Sequence, residues 1–157
     1  SRSAVNRAET GAHAKLINAL NSGKYIVNYS GHGSVTAWSS ASSFFNATHA
    51  GQLTNSDKLT IFTMLTCLNG YFIQNPDGLA ESLLKAPNGG AVAAWASSAL
   101  TTPDIQEIMA MRFFNQLGSG NLTRLGDLVK DAKTTIPGGR DARLSWVLFG
   151  DPTLKVK

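Results

Sequence analysis

Disulfide partners are missing from this sequence: Cys67 is the only cysteine among 157 residues, so no bridge can form within the chain. Cysteine pairing therefore says nothing about the redox compartment. Charge is also scarce, at 15 % of residues. The formal net charge is +4, but no run of five or more Lys and Arg occurs, and scattered basic residues do not make a nucleic-acid footprint. No stretch of 18 apolar residues is present, so no membrane-spanning helix is expected. The first seven residues, Ser1-Arg2-Ser3-Ala4-Val5-Asn6-Arg7, lack the apolar core of a signal peptide, so an export signal would have to lie outside this chain. A zinc site wants three or four ligands, and no Cys or His cluster supplies them, so no metal is expected. Internal repeats and low-complexity tails are absent too.

What is present fits one domain. Apolar residues make up 43 %, a globular share, and a chain of this length buries roughly two-thirds of its unfolded surface. Helical spacing of Ala12, Leu16 and Leu20, with Ile17 alongside, predicts a helix over about 4–21, stopped at Gly23. Residues 25–29 and 59–65 are rich in β-branched, aromatic and other apolar side chains and read as strands. A third short apolar run, 91–95, is preceded by Gly89 and Gly90. Helices are predicted over about 43–53, 78–85, 103–117 and 122–135, with Pro103 suited to a first turn. Residues 146–149 and 153–156 flank a turn at Gly150-Asp151-Pro152. Strand alternating with helix predicts a mainly parallel sheet between helical layers.

Ligands of open parallel sheets bind beyond the carboxyl ends of the strands. His32 lies three residues past Tyr29, in Ser30-Gly31-His32-Gly33-Ser34, and Cys67 lies two residues past Leu65. Neighbouring parallel strands would set these two turns side by side. Taken singly, Cys67 can be a small buried hydrophobe, and His32 a turn residue or a metal ligand. Together they make a nucleophile and its base: a free thiol is only a few per cent thiolate at neutral pH, and an imidazole can hold the thiolate or take its proton. The amides of Gly33 and Cys67 are then placed to receive a developing oxyanion. His13 and His49 fall on predicted helices and read as structural. A nucleotide-binding reading is weak, because no phosphate-cradling loop with a following Lys is present.

Four motifs carry a resemblance. Asn28-Tyr29-Ser30-Gly31-His32-Gly33-Ser34 with Thr36-Ala37-Trp38, and Thr66-Cys67-Leu68-Asn69-Gly70-Tyr71-Phe72, resemble the histidine and cysteine motifs of the gingipain-like (C25) cysteine peptidases. Leu79-Ala80-Glu81-Ser82-Leu83-Leu84 with Gly89-Gly90-Ala91-Val92-Ala93, and Leu148-Phe149-Gly150-Asp151-Pro152-Thr153-Leu154, resemble the segments that follow in that family. The resemblance implies an α/β class protein with a caspase-like three-layer α/β/α sandwich. It implies a cysteine endopeptidase with His32 as base, Cys67 as nucleophile, and the amides of Gly33 and Cys67 as oxyanion hole. It further implies protein or peptide substrates and a secreted or cell-surface location; members of known specificity cleave after Arg or Lys, and the preference of this chain stays open. It places Trp95, Ala96, Ser97 and Ser98 along one wall of the substrate pocket, with Trp38 at another side. Calcium is implied by resemblance alone.

The match is not complete. Family members carry an upstream subdomain and earlier strands, so residues 1–157 read as a single catalytic subdomain of a longer protein. The acids that orient the histidine and recognise a basic side chain belong to that upstream part. Where arginine-specific relatives have an acid after the Gly-His-Gly, this chain has Val35. The competing expectation is a catalytically incompetent module for binding or assembly. Its histidine strand would then expose a sheet edge able to pair with the missing subdomain or another chain.

Overall fold

The structure, a computed structural model, describes residues 2–39, 44–136, 138 and 140–156. Its central strand, β4 (Thr60–Leu65), is the clearest case of sequence dictating position. All six residues are buried, as expected of an apolar run covered on both faces. It pairs in parallel with β1 (Ile26–Ser30) on one side and β5 (Ala91–Ser97) on the other. β6 (Trp146–Gly150) adds antiparallel to β5, giving the order β1-β4-β5-β6. The expected mainly parallel α/β/α sandwich is therefore the observed fold, with one antiparallel edge strand.

Side-chain alternation along β4 and β5 divides the interior. Phe62, Met64, Ala94 and Ala96 point into one core with Leu20, Trp38, Phe45, Leu79 and Leu83. Ile61, Leu65, Ala93 and Trp95 point into the other with Met109, Phe113, Leu125, Leu128 and Trp146. The first core is covered by α1 (Arg2–Asn21), α2 (Ala47–Gly51) and α3 (Leu79–Leu84). The second is covered by α4 (Pro103–Ser119) and α5 (Leu125–Thr134). In α5 the buried residues Leu125, Leu128, Val129 and Ala132 follow the i, i+3, i+4, i+7 spacing of one helical face. α4 starts with Pro103 at its first turn and ends at Gly120, whose φ of 74° supplies the left-handed cap.

Three elements differ from expectation. A two-stranded hairpin pairs β2 (Ala37–Trp38) with β3 (Phe45–Asn46), where the serine-rich stretch predicts only an irregular segment and the start of a helix. Two-residue strands are too short to show a period. A short helix, α6 (Arg140–Ser145), leads into β6. Beyond the expected turn at Gly150-Asp151-Pro152, residues 153–156 form no strand of the sheet. The Asp151 carboxylate accepts from the Thr153 amide and hydroxyl, each at 2.8 Å, and redirects the chain. Lys155 then makes one antiparallel bridge with Arg124.

Among the described residues, β1 pairs with a strand on one side only. Its exposed side chains, Asn28 and Ser30, are polar, which suits an edge. No helix is long and apolar enough to cross a membrane among the described residues.

His13 and His49 knit α1 to α2, as structural histidines do: their ring centroids are 4.2 Å apart, and His13 Nδ1 meets the Phe44 carbonyl at 2.8 Å. Burial, then the charge of His13, hold the pKa of His49 below its ordinary 6.5. A depressed histidine is neutral when folded, while its unfolded counterpart binds a proton as pH drops below 6.5. Stability is therefore complete above that value and lost on acidification. The thermal midpoint is expected to fall from pH 7.5 to 5 in the native chain and to change less in His49→Gln. A His49→Gln profile parallel to the native one would refute the assignment.

Candidate active site

The register of β1 on β4 fixes the site. Ser30 lies opposite Leu65, the last pair of the ladder. His32 and Cys67 each lie two residues beyond that pair, on neighbouring parallel strands. Their turns consequently open at the same carboxyl-end edge of the sheet, where open α/β sheets place ligands. A cavity of about 180 Å³ is lined there by Ser30, Gly31, His32, Cys67, Thr101, Pro103 and Gln106. His32 is exposed and Cys67 half-buried.

The histidine turn is held from behind. The Tyr29 hydroxyl donates to the His32 carbonyl at 2.9 Å, and the Ser39 amide donates to the same oxygen at 2.7 Å. Tyr29 stacks on Trp38 with ring centroids 4.5 Å apart and planes 6° from parallel. Burial raises the pKa of Tyr29, against a weaker opposing effect from the Ser39 backbone, so the hydroxyl stays protonated as a donor. Gly33 then bridges to Trp38 and closes the turn.

The cysteine turn is clamped on both flanks. Asn69, fully buried, donates from Nδ2 to the carbonyls of Ser34 at 2.6 Å and Ala37 at 3.1 Å, tying it to the histidine turn. On the other flank the Leu68 amide donates to Ala99 O at 3.2 Å and the Gly70 amide to Ser97 O at 2.9 Å. Leu68 pays a conformational cost for this, with φ at 62°, a region that side chains with a Cβ rarely adopt. A Cβ at Gly70 would meet the Ala96 carbonyl oxygen at 2.9 Å, so only glycine lets this turn approach β5 so closely.

Cys67 Sγ has its hydrogen-bond partners in Thr101: the Thr101 amide donates to it at 3.4 Å, and Sγ lies 3.5 Å from the Thr101 carbonyl oxygen. Among the described residues the sulfur is paired with this backbone and not with the His32 ring. The amides of Gly33 and Cys67 donate to no other described residue. The cavity thus brings a thiol and an imidazole together, while Gly33 lies just beyond its lining.

The remaining expected site residues lie apart from this cavity. Trp38 is 2 % exposed and packed in the first core, and Trp95 is 1 % exposed and packed in the second. Ala96 and Ser97 are fully buried. The Ser97 hydroxyl donates to Ala99 O at 3.0 Å, and Ser98 donates to Ser145 O at 3.0 Å. Ser97 and Ser98 brace the loop after β5, and of its next residues Thr101 lines the cavity. Thr101, Gln106, Asn69 and Tyr29 were not singled out by sequence. Gln106 left a readable trace: it is a polar residue three and seven positions before Met109 and Phe113 on the buried face of α4. Among the described residues no group of three or more His, Cys, Asp or Glu gathers where a metal ion could be assigned.

Comparisons with known proteins bear on the family and the fold. The family model for peptidase family C25 matches residues 1–157. Gingipain R2 of Porphyromonas gingivalis is 34 % identical over 156 residues, covering 90 % of this chain and 21 % of that protein. Gingipain R1 of the same organism shows the same identity, with 15 % of its length covered. The chain thus spans about a fifth or less of these relatives. Among solved structures, the Arg-specific cysteine proteinase gingipain R (RgpB) superposes with a TM-score of 0.79 at 30 % identity, over 93 % of this chain and 36 % of that one. A complex of the RgpB pro- and mature domains gives a TM-score of 0.81 at 28 % identity, over 93 % of this chain and 37 % of that one.

Proposed function

This chain belongs to peptidase family C25, and on that premise we propose that it carries the nucleophile and base of a cysteine endopeptidase. The observation that carries the reading is the cavity lined by both His32 and Cys67. Cys67 Sγ attacks the scissile carbonyl carbon as the thiolate, its proton passing to His32. The carbonyl electrons move onto oxygen, which the amides of Gly33 and Cys67 receive. Collapse expels the amine, protonated by His32, and leaves a thioester on Cys67. Water, deprotonated by the same imidazole, then hydrolyses the thioester and restores the thiol.

The substrate is a protein or peptide, and the family resemblance points to secretion or the cell surface. The residue preceding the cut sits against the loop after β5. In this reading Trp95, Ala96, Ser97 and Ser98 form the floor and support of the pocket, and Trp38 backs the histidine turn. The solved relative is named as Arg-specific. Here no carboxylate lines the cavity among the described residues. A basic side chain would therefore need an acid from outside this lining. A peptidyl ketone electrophile with Arg or Lys at the cleaved position is expected to label Cys67, and Cys67→Ala to stay unlabelled. Equal labelling of the alanine variant would overturn the proposal.

The half-paired β1 favours a second reading, in which the chain is a non-catalytic caspase-like module that binds through this edge. Light scattering decides: concentration-dependent self-association supports edge pairing with another copy, and a monomer at high concentration counts against it.

A further inference from the structure

We propose that Gln106 is a positioning residue for the nucleophile: it holds Thr101 so that the Thr101 amide stabilises the Cys67 thiolate. The inference rests on the peptidase reading for its purpose but not for its test. Gln106 is 6 % exposed, a polar side chain buried on the inner face of α4 and lining the cavity beside the thiol. Its Nε2 donates to Thr101 Oγ1 at 2.5 Å. Burying an amide costs free energy unless it is paired, so this contact fixes the Thr101 side chain against the first turns of α4. The same residue presents both backbone groups to the sulfur, the amide at 3.4 Å and the carbonyl oxygen at 3.5 Å.

The two contacts serve different protonation states. A neutral thiol donates weakly to the Thr101 carbonyl. A thiolate accepts from the Thr101 amide, and a hydrogen bond to a charged acceptor is about twice as strong as a neutral one. The amide contact therefore favours the thiolate, by a means separate from the imidazole, while the carbonyl contact favours the neutral thiol. Sequence continuity alone would not hold the amide there. Thr101 sits in the connection between β5 and α4, next to the strongly exposed Leu100. The hydrogen bond from the Gln106 side chain ties Thr101 to the buried face of the helix.

The other groups around the sulfur do not supply this effect. His32 is the titratable side chain lining the cavity with Cys67. Asp104 and Glu107 of α4 are exposed and do not line it. The Asp104 carboxylate is occupied by the Thr102 side chain and then the Ile105 amide, which hold its pKa below the ordinary value. Tyr29 directs its hydroxyl at the His32 carbonyl.

The test is alkylation of Cys67 by iodoacetamide across pH, followed by mass. Cys67 is the only cysteine, so the reading is unambiguous and needs no peptide hydrolysis. Gln106→Met keeps the bulk and loses the donor. Thr101→Val keeps the shape and loses the hydroxyl, and Thr101→Ser restores it. Both Gln106→Met and Thr101→Val are expected to move the alkylation profile to higher pH and to slow the reaction near pH 6.5 by about three- to tenfold, with the high-pH limit unchanged. Thr101→Ser is expected to follow the native profile. A role confined to folding would lower the thermal midpoint and leave the profile in place. Unshifted profiles in both Gln106→Met and Thr101→Val overturn the proposal. Labelling by the peptidyl ketone is measured in parallel. A shifted profile in a chain the ketone never labels keeps the positioning role and rejects the peptidase. Labelling with unshifted profiles does the reverse.

Discussion

Gly33→Ala is expected to slow peptide turnover, or labelling by a peptidyl ketone, by roughly 10²- to 10³-fold, the usual cost of losing one oxyanion donor. The reason is space, not backbone strain. A Cβ on Gly33 would lie 2.1 Å from Thr66 Oγ1, 3.1 Å from Thr66 Cγ2 and 3.0 Å from the Cys67 carbonyl oxygen. None of these is the free end of a long side chain: Thr66 is fully buried, and the carbonyl is backbone. The histidine and cysteine turns must separate to admit the methyl group, and the Gly33 amide moves with them. Overpacking of this kind costs about 1–3 kcal/mol of stability as well. Two controls separate wedge from misfolding. Thr66→Ala removes the two nearest Thr66 atoms, so Gly33→Ala with Thr66→Ala should regain part of the lost rate. Alkylation by iodoacetamide uses no oxyanion hole and should fall far less than ketone labelling. A folded Gly33→Ala chain with native turnover would rule out both the wedge and the oxyanion role.

The features legible in the sequence were those with a local physical signature. Residues 60–65 read as a covered strand because four of the six side chains are apolar and the other two are β-branched threonines, and β1 and β4 both end at glycine-bearing turns. Their parallel pairing followed from the intervening helical segment, and the pairing alone puts His32 and Cys67 in equivalent places beyond Ser30 and Leu65. The contacts that hold the site were hidden because they join residues far apart in the chain. Thr101 meets Cys67 across 34 positions, and Asn69 meets Ser34 across 35. Asn69 reads locally as a turn residue, and nothing in its neighbourhood says that its amide spans two loops. The β2–β3 hairpin was illegible because two residues carry no period, although it is what buries Trp38 beneath Tyr29.

Trp95 is where local sequence was most ambiguous, and substitution there carries the largest expected loss of stability. Five of the seven residues of β5 are Ala or Val, so the run does not say which face the indole takes. Pairing decides it: Trp95 sits opposite Thr63 on β4 and Leu148 on β6, and shares its face with Ala93. That face is roofed by α4 and α5. The ring stacks near Phe113 at 5.3 Å and meets Trp146 edge-on at 5.4 Å. Trp95→Ala should therefore cost about 3–5 kcal/mol in denaturant unfolding, the range for truncating a buried aromatic ring. Trp95→Phe should cost much less. It keeps the aromatic contacts, and the indole Nε1 it removes is buried without an acceptor among the described residues. The same phenylalanine variant tests the pocket. If Trp95 only supports the loop after β5, Trp95→Phe leaves the preference between Arg, Lys and uncharged ketone probes unchanged. If the indole touches substrate, that preference changes while stability barely moves, and the wall of the pocket must then extend down to the strand itself.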